Sequence, residues 1–192
     1  MTAFSKSRIF FYTAVLASAG LITSCSKQYA NDGGSGSRLV DKDKPSDNSN
    51  DVFKYNGLGS QTVWELQQAR AATAEYGDIK NAFRDGYVDM NVVVPNMGYH
   101  FKKPSLFDAV FDYKHPEILV YNKNLDGSFQ LVAVEYAVPI DTTPDAAPEG
   151  FTGSADEWEK NTAFGFWLQH AWVWSFNPAG AFHDTNPLIT VN

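Results

Sequence analysis

The chain has 192 residues with 15 basic against 22 acidic side chains, a formal net charge of −7, and it contains four histidines and one cysteine. That balance argues against a role driven by neutralising nucleic-acid phosphates, and against electrostatic docking on anionic lipid. A single cysteine leaves no intramolecular disulfide, so a fold must be held by its core.

Taken in chain order, Lys6 and Arg8 precede an apolar run from Ile9 to Ile22. The run is too short for a transmembrane helix, which needs about 20 residues, and it has the layout of an export signal. It ends in Leu21-Ile22-Thr23-Ser24-Cys25, which resembles the lipobox of bacterial lipoproteins. The resemblance implies that residues 1–24 are a signal peptide removed before Cys25, and that Cys25 then carries the lipid. Loss of Lys6 and Arg8 leaves 13 basic against 22 acidic residues, a net charge of −9. Ser26 follows the cysteine where many inner-membrane lipoproteins have Asp, so the resemblance points to the outer membrane of a Gram-negative bacterium. Residues 25–51 are rich in Ser, Asn, Asp and Gly and can bury little, which describes a flexible tether. A coil of that length spans about 28 Å on average.

One globular domain is expected over 52–192. Leu66, Ala69, Ala72, Tyr76, Ile79 and Phe83 recur at spacings of three and four, predicting helix over about 62–85 with a weak point at Gly77. Gly86 is placed to end it in the left-handed conformation. Val92–Val94 and Tyr99–Phe101 read as short strands around a Pro95–Gly98 turn. Pro116–Tyr121 and Phe129–Val138 flank Asp126-Gly127, a β-hairpin signature. A long loop is expected over 139–160. From Ala163 to Phe176 the chain alternates, placing Phe164, Phe166, Leu168, His170, Trp172, Trp174 and Phe176 on one core face. The pattern predicts an α+β fold, with one or two N-terminal helices on a curved antiparallel sheet of four to five strands.

Two histidines stand out because both lie in aromatic-rich strands, His100 and His170. Glu135 is isolated on an apolar strand, on a face shared by alternation with Leu131, Ala133 and Ala137, and a carboxylate there is costly unless it is paired or bound to a cation. Two imidazoles and one carboxylate from three strands can hold zinc, copper or iron with an open position. Core histidines bonded to carbonyls are the simpler reading of the same pattern. His183-Asp184 could add a ligand, but the pair reads more simply as an exposed loop. Trp172, Trp174 and Met97 are expected to line a pocket for a small ligand. No catalytic motif is present: no nucleophile elbow, no phosphate-binding glycine loop, no local His-x-His or His-Glu-x-x-His spacing.

Met97-Gly-Tyr-His-Phe101, Val134-Glu-Tyr136 with Val138-Pro139, and the His170-x-Trp-x-Trp-x-x-Asn-Pro-x-Gly-x-Phe182 run resemble a family of uncharacterised exported bacterial proteins. The resemblance implies a domain boundary and no chemistry. The expectation is therefore a lipid-anchored envelope lipoprotein whose domain binds a small ligand, with a divalent metal at His100, Glu135 and His170. A non-catalytic accessory lipoprotein acting through envelope protein partners is the alternative.

Overall fold

The computed structural model describes residues 55–191. The signal peptide, Cys25 and the tether expected over 25–51 lie outside the described residues.

Helix α1 (Ser60–Ala72) starts without a side-chain cap, and a loop secures it instead. Glu65 accepts hydrogen bonds from the Thr152 amide at 2.8 Å and the Thr152 hydroxyl at 2.6 Å, while the Thr62 hydroxyl donates to the Thr152 carbonyl at 2.5 Å. The helix stops at Thr73, one turn before the suspected weak point. A 3₁₀ turn follows over Ala74–Gly77, and Asp78 then opens α2 (Ile79–Arg84) by accepting a bond from the Lys80 amide at 3.0 Å. Gly86 ends α2 at φ +95°, with its amide on the Phe83 carbonyl and that of Tyr87 on the Ala82 carbonyl. This is a Schellman closure, and it matches the role expected of Gly86. The apolar stripe is bent by the break. Leu66, Ala69, Tyr76 and Ala82 are buried, whereas Phe83 is exposed.

Six antiparallel strands follow: β1 (Val88–Val94), β2 (Gly98–Lys102), β3 (Ile118–Lys123), β4 (Phe129–Pro139), β5 (Glu159–Asn161) and β6 (Phe166–Ala171). They form one curled sheet in the order β1-β2-β3-β4-β6-β5. The architecture is α+β as expected, with six strands in place of four or five. The extra strand is β5, whose Glu-Lys-Asn sequence carries no apolar alternation because it is an edge that buries little. The hairpin at Asp126-Gly127 forms as read, with Gly127 at φ +83°. Gly98, at φ +127°, opens β2 so close to β3 that a Cβ there would collide with the Tyr121 carbonyl.

Each face of the sheet buries its own core. One packs Leu119, Tyr121, Leu131, Val134 and Tyr136 under the helical residues Leu66, Ala69, Tyr76 and Ala82. The other gathers Ile118, Val120, Ala133, Ala137, Trp172 and Ile189. A bulge at Val132 changes which side chains of β4 face each of them. Tyr121 pairs with Leu131 but Val120 pairs with Ala133, so one extra residue sits in β4. Leu131 therefore lies on the helix side, away from Ala133, Glu135 and Ala137, and simple alternation misplaces it.

The aromatic strand is shorter than its pattern. It ends at Ala171, and both its faces are covered: Gln169 and Ala171 are as buried as His170. Phe164 and Phe176 fall beyond its ends and are 56% and 47% exposed. The remainder of the terminal motif is a pinned loop. The Asn177 side chain donates to the Thr185 carbonyl at 3.0 Å, and that of Asn186 to the Phe176 carbonyl at 2.9 Å. Both side-chain carbonyls also accept an amide two residues on, from Ala179 and Leu188, which makes each Asn-Pro a side-chain-closed turn.

Candidate metal centre

On the face away from the helices, β4 places Glu135 directly opposite His170 of β6 and Ile118 of β3. His100 of β2 pairs with Val120, two residues along from Ile118 on the same face. The sheet register thus brings three side chains together over 70 residues of sequence. His100 Nε2 lies 3.7 Å from Glu135 Oε2, and His170 Nε2 lies 3.9 Å from Glu135 Oε1. One ligand atom from each of the three groups falls within 4.8 Å of the others. Donors bound tetrahedrally to zinc at about 2.0–2.1 Å are about 3.4 Å apart, so closure on an ion needs only small side-chain movements.

All three residues are buried. The separations are too long for direct hydrogen bonds and leave a gap bounded by two imidazoles and a carboxylate. Burial pushes the Glu135 carboxyl up to about 8, with the Asp184, Glu159 and Glu117 carboxylates adding in the same direction. Burial pulls His170 down to about 3, helped by His100, and it lowers His100 as well. Both histidines are therefore neutral at pH 7, the form that ligates a metal.

Their orientation is determined by different means. His100 Nδ1 is 3.3 Å from the Val92 carbonyl, which fixes that nitrogen as the N–H and leaves the Nε2 lone pair facing Glu135. His170 is held by packing: Trp172 stacks on it with ring centroids 6.0 Å apart and planes 13° from parallel. Neither ring nitrogen of His170 has a hydrogen-bond partner although both are buried. Its Nε2 faces Glu135, and Asp184 Oδ1 approaches Nδ1 to 4.0 Å. An unpartnered buried imidazole costs about 1–3 kcal/mol per polar group, and a cation on Nε2 would remove half of that cost.

The three groups line a cavity of about 420 Å³ whose remaining walls are largely apolar, including Met90, Val92, Phe107, Phe166 and Leu168. Met97 is among the lining residues. The tryptophans are not. Trp172 is fully buried behind His170, and Trp174 lies on the opposite face of the sheet under the Arg70 guanidinium, 4.3 Å from its ring centroid. Its indole N–H donates to the Thr73 hydroxyl at 3.0 Å. Trp174 therefore locks α1 to the end of β6 and takes no part in the cavity.

Two further acids lie close to the strands of the site, Asp184, read from the sequence as part of a loop pair, and Glu117, which sequence reasoning did not single out. Asp184 belongs to a loop, yet it is half-buried and reaches the far nitrogen of His170. Glu117 is buried at the mouth of β3, where it accepts the Ala137 amide at 3.1 Å, and burial raises its carboxyl to about 8. It replaces a ladder bond beyond the end of the strand. Only its position after Pro116 could have signalled this.

No family model, no curated protein and no solved structure matches the chain.

Proposed function

We propose that this is a lipid-anchored envelope protein whose single domain binds a divalent metal through His100, Glu135 and His170, with the fourth position open to the cavity. The observation that carries the reading is the meeting of two neutral imidazoles and one carboxyl group, which would give up its proton to a bound metal, from three strands, around a gap none of them fills. This donor set suits zinc or copper, and with further open positions iron(II). The His100 contact to Val92 supplies the outer-shell orientation that metal-ligating histidines usually have. Convergence beside a cavity favours a binding role over a purely accessory one acting through protein partners.

The test is elemental analysis of the purified protein after incubation with zinc or copper and dialysis without chelator. About one equivalent is expected in the wild type, and less than a tenth of that in His170→Ala and His100→Ala. A wild type that retains no metal would return the three residues to a purely structural role. The anchor is tested separately. Cys25→Ala should abolish incorporation of labelled palmitate and leave an uncleaved precursor, and undiminished labelling would exclude the lipid attachment inferred at Cys25.

A further inference from the structure

The cavity above the three ligands is chemically lopsided. Its polar groups are His100, Glu135 and His170 together with Lys102, Glu159 and Asn161, and every other lining residue is apolar. Phe107 and Phe166 meet edge to face at 5.2 Å and stiffen one wall, while Leu168 continues along β6 on the same side as His170. At about 420 Å³ the space lies near the small end of ligand pockets, about 300–1,000 Å³. A water-filled cavity of this make-up would leave much apolar wall wetted, and an apolar ligand body would release that water.

Charge decides which headgroup belongs at the metal end. A divalent ion held by two neutral imidazoles and one carboxylate keeps a net charge of about +1. Lys102 stands on the same face of β2, two residues from His100, and Glu159 is on the far edge strand β5, whereas Asp184 lies behind His170 on its Nδ1 side and does not line the cavity. The metal end therefore favours a singly charged anion, and the walls favour a short apolar tail.

We infer that the cavity takes a small amphiphilic carboxylate, whose head occupies the open position of the metal and whose tail lies along Met90, Val92, Phe107, Ile118, Phe166 and Leu168. The inference rests on the metal reading above. It is tested by calorimetric titration of the zinc-loaded, full-length protein with acetate, hexanoate and hexan-1-ol, repeated on the metal-free protein. Hexanoate carries four more methylenes than acetate, and burial of each strengthens binding about fourfold, so up to about 200-fold tighter binding is expected. Removing zinc should weaken hexanoate at least tenfold, and hexan-1-ol should bind far more weakly than hexanoate. Phe166→Ala should weaken hexanoate and leave acetate unchanged.

Acetate and hexanoate of equal affinity would overturn the tail site while sparing the metal. Hexanoate that binds equally with and without zinc, or no better than hexan-1-ol, would overturn the head assignment. Failure of the protein to take up zinc, measured before any carboxylate is added, would overturn both this inference and the metal reading.

Discussion

Glu135→Leu is expected to reduce bound metal from about one equivalent to none, and at the same time to make the metal-free domain more stable. The two effects have one cause. Glu135 is a buried carboxyl with no hydrogen bond in reach, on a face shared with Ile118, Ala133 and Ala137. A buried polar group left without a hydrogen bond costs about 1–3 kcal/mol, and leucine of similar volume removes that cost. The effect should grow with pH, and its sign follows from linkage. Burial raises Glu135 from 4.5 to about 8, so the folded metal-free protein holds this proton after the unfolded chain has released it. The stability so gained is fully present below pH 4.5 and is lost as pH rises through 8. His170 acts oppositely: with its value lowered from 6.5 to about 3, its contribution is present above 6.5 and is lost as pH falls toward 3. Metal-free wild type should therefore weaken between pH 6.5 and 8 where Glu135→Leu does not, as thermal melts in chelator would show. Zinc should reverse the order of the two proteins at pH 8. If Glu135→Leu instead melts well below wild type in chelator, Glu135 is a structural partner of the histidines and not a reserved ligand.

Trp172→Ala is the substitution expected to cost most. The side chain is fully buried in the cluster that backs the site, stacks on His170, and donates its indole N–H to the His183 carbonyl at 2.6 Å. Truncation removes the largest fully buried side chain among the described residues and strands that carbonyl. Losses of about 3–5 kcal/mol are usual for such a change in a core. For a domain of this size that lowers the melting temperature by about 10–20 °C. Trp172→Phe keeps an aromatic face on His170 and loses the donor and one ring of the indole, so a smaller loss of about 1–3 kcal/mol is expected. Denaturant melts of both variants check the ranking. A Trp172→Ala protein within about 1 kcal/mol of wild type would show that the loop from Trp172 to Asn186 does not hold the second core together.

That loop explains the terminal motif. Of His170, Trp172, Trp174, Asn177, Phe182 and Asn186, only His170 reaches the cavity. Trp172 braces it, Trp174 clamps α1, the two asparagines close turns, and Phe182 fills the helix-side core. A stretch that dense in aromatics reads first as core, and most of it is an assembly joint between the helix-side core and the loop behind the site.

What the sequence determined by itself is what short-range chemistry decides. The turn from Asn124 to Ser128 fixes its hairpin locally, because Gly127 takes the positive φ of +83° that closes it and the Asn124 amide bonds the Ser128 carbonyl. Asp78 and Gly86 start and stop α2 through bonds to residues at most four positions away. His100, Glu135 and His170 could be singled out because each is a polar side chain on an apolar strand, where burial is costly without a purpose. Only the tertiary structure decided that these three meet. Their contact depends on the order β2-β3-β4-β6 and on pairings between residues 17 to 35 positions apart, such as Ile118 with Glu135 and Glu135 with His170. The bulge at Val132, the burial of both faces of β6, the edge strand β5 and the approach of Asp184 to His170 likewise have no local signature. Each is settled by what packs against a residue from far along the chain, and period-two alternation says which side chains share a face only while the register runs unbroken.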